Sequence, residues 1–148
     1  MATNEQLELM RRVPLFSEVG KRDLKRLADD ALRREYEAGD TIVEEGTRGV
    51  GMFVILEGQV VATRRGVQVV ELGPGTYFGD LALFEDVPRN AIVSAKTETT
   101  CLAFTRWDFL AELRSEPTMA LQMLTTTMRR LWETTEELAA LKGEGAVD

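Results

Sequence analysis

Four short runs rich in β-branched residues follow one another between residues 41 and 72: Thr41-Ile42-Val43, Met52-Phe53-Val54-Ile55-Leu56, Gln59-Val60-Val61-Ala62-Thr63 and Val67-Gln68-Val69-Val70-Glu71-Leu72. They are divided by Glu57-Gly58, Arg65-Gly66 and Gly73-Pro74-Gly75, pairs and triplets that supply the positive φ of tight turns. Strands this short, joined this tightly, predict a small antiparallel sandwich, jelly roll or barrel. Two further runs, Ala91-Ile92-Val93-Ser94-Ala95 and Cys101-Leu102-Ala103-Phe104, extend the pattern.

Helical periodicity frames these strands. Leu24, Leu27, Ala28, Ala31 and Leu32 recur at helical spacing with Lys21, Arg22, Lys25, Arg26, Asp29 and Asp30 opposite, predicting a short amphipathic helix between Leu15 and Leu32. Between Tyr77 and Arg89 alternation stops. Gly79-Asp80-Leu81-Ala82-Leu83-Phe84 reads as one or two helical turns with Asp80 in the first turn, where an acid suits the helix dipole. Trp107 to Leu113 reads as helix. Ser115 as N-cap and Pro117 in the first turn then open a long helix to about Lys142, stopped by Gly143 and Gly145.

The long helix carries Leu121, Leu124, Met128, Leu131, Thr135 and Leu138 at intervals of 3, 4, 3, 4 and 3, the a/d spacing of a coiled coil. Two readings fit that stripe: a parallel dimer seam, or the face by which the helix packs on its own roll. A polar Thr135 at an a position inclines the balance towards a seam.

With 148 residues, 44% of them hydrophobic, the chain has material for one domain with a core. Residues 1–114 are expected to form the roll with its N-terminal helix, and residues 115–148 the C-terminal helix and tail of the same domain. A formal charge of −7 argues against a direct grip on nucleic acid. The absence of histidine removes Ser-His-Asp and Cys-His catalysis and His-ligated zinc; no catalytic or metal-ligating set can be assembled, and an enzyme is not expected. Cys101, alone in an apolar run, reads as a buried small hydrophobe. The first residues lack the layout of a signal peptide, and no apolar run approaches the roughly 18 residues of a membrane span, so a cytoplasmic protein without membrane partners is expected.

Phe78-Gly79-Asp80-Leu81-Ala82-Leu83, followed by Pro88-Arg89-Asn90-Ala91, resembles the phosphate-binding cassette of cyclic nucleotide-binding domains, whose pattern is Phe-Gly-Glu-Leu-Ala-Leu, then Pro-Arg, a small residue and Ala. Leu15-Phe16, Gly39-Asp40, Glu45-Gly46, Met52 to Gly58 and Arg106-Trp107-Asp108-Phe109 extend the resemblance over most of the chain. It implies a mainly β fold, an eight-stranded jelly-roll-like β-roll with flanking N-terminal helices, a short phosphate-binding helix and a long C-terminal helix. Arg129 to Leu138 looks like the dimerising helix of the bacterial catabolite-activator (Crp/Fnr-type) branch. That branch continues into a DNA-binding helix-turn-helix, which is not expected here.

The resemblance implies a role for each part of a cyclic nucleotide. Gly79, Leu81 and Ala82 would offer first-turn amides to the phosphate. Arg89 would anchor two phosphate oxygens with its planar fork, and Asn90 could add an amide donor. Asp80 stands where the family has the glutamate that accepts the ribose 2′-hydroxyl; it is shorter by one methylene, about 1.5 Å against the narrow range of hydrogen-bond lengths. Val69 and Leu72 would support the base, closed over by Thr134 and Thr135. Leu121, Leu124, Met128, Leu131 and Leu138 would form the dimer seam. The expected protein is a non-catalytic, cofactor-free sensor that binds cAMP as a homodimer and signals to an effector the sequence does not name. Two alternatives stand beside it: a dimeric interaction protein with an altered or lost ligand, motivated by Asp80 and Asn90, and a catabolite-activator-like regulator without its own DNA-binding domain.

Overall fold

A computed structural model describes residues 2–143. Among them the chain forms α1 (Asn4–Arg11), a 3-10 turn (Pro14–Phe16), α2 (Lys21–Asp30), β1 (Leu32–Tyr36), β2 (Thr41–Val43), β3 (Gly51–Glu57), β4 (Val60–Arg64), β5 (Val67–Leu72), β6 (Tyr77–Phe78), a second 3-10 turn (Asp80–Leu83), β7 (Ile92–Ala95), β8 (Thr99–Thr105), α3 (Arg106–Ser115) and α4 (Pro117–Leu141). The strands build two four-stranded antiparallel sheets, ordered β1-β8-β3-β6 and β2-β7-β4-β5. This is the eight-stranded roll the turn pattern and the resemblance point to.

Two apolar clusters explain why β3 shows an unbroken hydrophobic run. Met52, Val54 and Leu56 face a cluster shared with Leu7, Met10, Phe16, Leu24, Leu27, Phe109, Met119 and Met123, so one face of the sheet packs on the helices. Phe53 and Ile55 face the other sheet with Val60, Ala62, Val93 and Cys101. A strand covered on both faces loses the alternation of a half-exposed one. Cys101 is fully buried, and burial pushes its thiol up to about 12, which removes it as a nucleophile at neutral pH.

The structure departs from the sequence reading at several points. Helix α1 escapes a search for apolar periodicity, yet a capping box announces it: Thr3 Oγ1 accepts from the Gln6 amide while the Gln6 side chain accepts from the Thr3 amide. Leu32 does not belong to the buried face of α2; it begins β1, where it is half-exposed, because the helix ends at Asp30. Strand β1 itself reads Leu-Arg-Arg-Glu-Tyr and is held by pairing with β8 rather than by burial. Ser115 is not the N-cap of α4. It is the last residue of α3, its hydroxyl donating back to the Glu112 carbonyl at 3.1 Å, and Glu116 is the non-helical residue before Pro117. Gly143 follows the helix with φ +74°; the Gly145 stop lies outside the described residues.

Helix α4 docks by Met119, Met123 and Thr126, a stripe offset from the predicted seam. Beyond that stripe, Glu18 ties the N-terminal segment to the helix, accepting from the Thr126 hydroxyl and pairing with Arg129 at 2.9 Å. The Thr126 bond and then Arg129 hold the Glu18 carboxyl below its ordinary range. Leu121, Leu124, Met128, Leu131 and Leu138 are all more than half exposed, so the reading in which this stripe packs on its own roll does not hold. No helix among the described residues is long and apolar enough to cross a membrane.

Candidate functional site

The segment from Gly79 to Asn90 is shaped by four constraints. Gly79 adopts φ +81°, a left-handed conformation that turns the chain out of β6 into the 3-10 turn. Leu83 and Ala82 are buried and hold that turn against the core, leaving Asp80 and Leu81 facing outward. On the return path the Arg89 amide donates to the Thr47 carbonyl at 2.7 Å, and the Gly46 and Gly49 amides donate to Arg89 and Val87 at 2.8 and 3.1 Å. Finally, Arg106 Nη1 donates to the carbonyls of Gly49, Ala82 and Glu85 at 3.3, 3.3 and 2.9 Å, clamping the turn to the loop before β3.

These constraints aim Arg89 inward. Its Nη2 donates to the Gly51 carbonyl at 2.8 Å, and its guanidinium carbon lies 5.9 Å from the centre of the Phe53 ring, itself stacked on Phe78 at 5.0 Å. The surroundings must be backbone: a Cβ at Gly49 would come within 2.8 Å of the guanidinium carbon, and one at Gly79 would overlap Nη1. Burial pulls the Arg89 guanidinium below its ordinary value, and among the described residues no carboxylate lies within ion-pair distance of it. A partly buried cation whose hydrogen-bond partner is a neutral carbonyl, with no carboxylate partner among the described residues, is an environment suited to an anion.

A cavity of about 540 Å³ opens over this cation. It gathers Gly79, Asp80, Leu81, Ala82, Arg89 and Asn90 with Val69 and Leu72, eight of the ten residues expected to hold the ligand. Thr134 and Thr135 stand outside it, exposed on the far half of α4, with Thr135 Oγ1 donating to the Leu131 carbonyl at 2.8 Å. The cavity also takes Val43, Ala62, Arg64, Val70, Tyr77 and Val93, which the sequence reading did not single out. Strand alternation could have found Ala62 and Arg64, which continue the inward face of Val60.

A second cavity of about 250 Å³ adjoins the first, with Tyr77, Asp80 and Leu81 lining both and Thr127 and Arg130 of α4 closing its other side. The middle of α4 thus reaches the rim of the site. Burial, and then the Asp80 charge, raise the Tyr77 phenol above its ordinary value.

A partly buried arginine on its floor, an outward carboxylate beside it and an apolar strand wall give this β-roll a cavity suited to a small molecule with an anionic group. Residues 33–116 match the family model of the cyclic nucleotide-binding domain, and the chain belongs to that family. It is 38% identical over 124 residues to a cyclic nucleotide-gated potassium channel of Rhizobium etli, covering 83% of this chain and 34% of the channel. The N-terminal domain of a transcriptional regulator from Streptomyces coelicolor superposes with a TM-score of 0.80 at 31% identity, over 85% of this chain and 91% of that one. The catabolite activator protein of Thermus thermophilus gives 0.69 at 30% identity, over 87% of this chain and 63% of that one. The chain spans no more than about a third of the length of the curated relatives it matches.

Proposed function

We propose that this chain is a non-catalytic cytoplasmic regulatory module that binds cAMP at the Arg89 cavity and transmits its occupancy through α4, which also serves as the seam of a homodimer. The observation that carries this reading is Arg89 itself, partly buried, bonded to the Gly51 carbonyl and without a carboxylate partner among the described residues. The phosphodiester would take the guanidinium fork and the first-turn amides of Asp80 and Leu81, and Asn90 would add a donor; the Ala82 amide, expected to join them, instead donates to the Gly79 carbonyl at 3.1 Å. Asp80, exposed and without a hydrogen bond among the described residues, is free to accept the ribose 2′-hydroxyl, directly or through a water that makes up for its short side chain. The base would rest on Val69 and Leu72.

Residues 1–114 form the ligand-holding unit in this reading and residues 115–148 its responsive element. Thr134 and Thr135 would reach a base only after the exposed half of α4 moves, or from a second copy. A ligand that binds better to one position of the helix shifts the population towards it. The exposed seam supports the dimer. Calorimetric titration with cAMP tests the reading: one site per chain is expected, and no heat at millimolar nucleotide, from protein shown to be folded by circular dichroism, overturns it.

A further inference from the structure

The strand wall of the cavity carries one charged side chain. Val43, Ala62, Val69, Val70, Leu72 and Val93 offer neither donors nor acceptors to a base, whereas Arg64 lines the same cavity from the end of β4. Its position follows from alternation: Val60 and Ala62 are buried on the inner face, and Arg64 is the next residue on that face, opposite Val67 at the open end of the β4–β5 ladder. Arg64 is exposed and makes no hydrogen bond or ion pair among the described residues, so nothing holds its guanidinium away from an occupant.

With the phosphate on Arg89 and the ribose on Asp80, the remaining part of a cyclic purine nucleotide is its base, and the remaining charged group in the cavity is Arg64. The geometry points to Arg64 as a specificity-determining residue that reads the base edge and extends recognition from cAMP to cGMP. This inference rests on the proposed nucleotide site. A guanidinium donates two parallel hydrogen bonds to the O6 and N7 acceptors of guanine; adenine offers N7 beside an amino group that is itself a donor, so the fork finds one acceptor and one conflict. The apolar wall supports either ring equally, and among the wall residues Arg64 separates them.

The test is titration of wild type, Arg64→Ala and Arg64→Lys with cAMP and with cGMP. Wild type is expected to bind both, Arg64→Ala to lose about 5- to 20-fold in cGMP affinity with cAMP changed by less than about twofold, and Arg64→Lys to recover little because an ammonium cannot span two acceptors. Equal loss for both nucleotides, no loss for either, or a wild type that binds cAMP but not cGMP overturns the role of Arg64 while leaving the nucleotide site standing. A wild type that binds neither overturns the site and this role together.

Discussion

The two ends of the cavity are built differently. At the Arg89 end the backbone and the cation are already held: the guanidinium by the Gly51 carbonyl and the Phe53 ring, the turn by buried Leu83, the adjoining loop by the three carbonyl bonds of Arg106. At the strand end little is held. Val69 and Val70 lie on β5, an edge strand exposed along most of its length, Val69 to 58%. In the proposed reading the difference teaches that the half assigned to the anion is preorganised, so little ordering cost would fall on it at binding, whereas the half assigned to the base is an open wall that another surface would complete. Helix α4 is placed to provide that surface. It reaches the rim through Thr127 and Arg130, is pinned as far as Arg129 by Glu18, and is exposed along nearly all of its length from Leu131 to Leu141.

The largest break in this comparison is expected from Gly79→Ala, which forces a side chain into a left-handed conformation and onto Arg89 Nη1. Titration should show a loss of cAMP affinity of about 100-fold or more. At the other extreme of the molecule, Leu131→Asp combined with Leu138→Asp places charges in the exposed seam; light scattering should show the dimer shifting to monomer, by at least about tenfold in dissociation constant, with the fold retained by circular dichroism because neither residue is buried in the single chain. Arg106→Ala removes three bonds that position the turn without touching the ligand, and about a tenfold loss in cAMP affinity is expected, read as a faster off-rate in stopped flow. Val69→Ala trims a wall that is already largely open, and about two- to threefold is expected in the same titration.

The pin at Glu18 makes the smallest and most pH-specific prediction. Its carboxyl is held below the ordinary range, so the stabilisation it brings is complete above about pH 4.3 and is lost as pH falls through the lowered value. Proteolysis within α4 should therefore quicken in acid for wild type, and Glu18→Gln should cleave at an elevated rate already at neutral pH, with a flatter dependence on acid.

How legible the molecule was in its sequence follows the same division. The turn after Gly79 was legible as a break in strand alternation, and the arginine through the resemblance of Phe78 to Ala91 to the family's cassette; that Gly79 also has to make room for that guanidinium became visible only in the structure. Strands β2 to β5, β7 and β8 were visible as β-branched runs between turns. What escaped depends on partners remote in sequence. Strand β1 is charged and exposed and exists because β8 pairs with it; β6 has two residues and exists because β3 does. Arg106 gives no sign of its clamp, since its three acceptors come from two other loops. The stripe in α4 was visible, but which face docks was not. The choice fell to Met119, Met123 and Thr126, because the apolar surface left by α1, α2 and α3 lies under them.

The central claim is that a preformed cation, Arg89, makes this roll a cAMP receptor. Thermal unfolding of wild type and Arg89→Ala, each with and without millimolar cAMP, tests it most directly. Binding to the native state alone raises its stability by about 2.7 kcal/mol at a hundredfold excess over the dissociation constant, a shift of several degrees for a domain of this size. The account predicts that shift in wild type and none in Arg89→Ala. A wild type that cAMP leaves unshifted, or an Arg89→Ala variant that shifts as far as wild type, would contradict it.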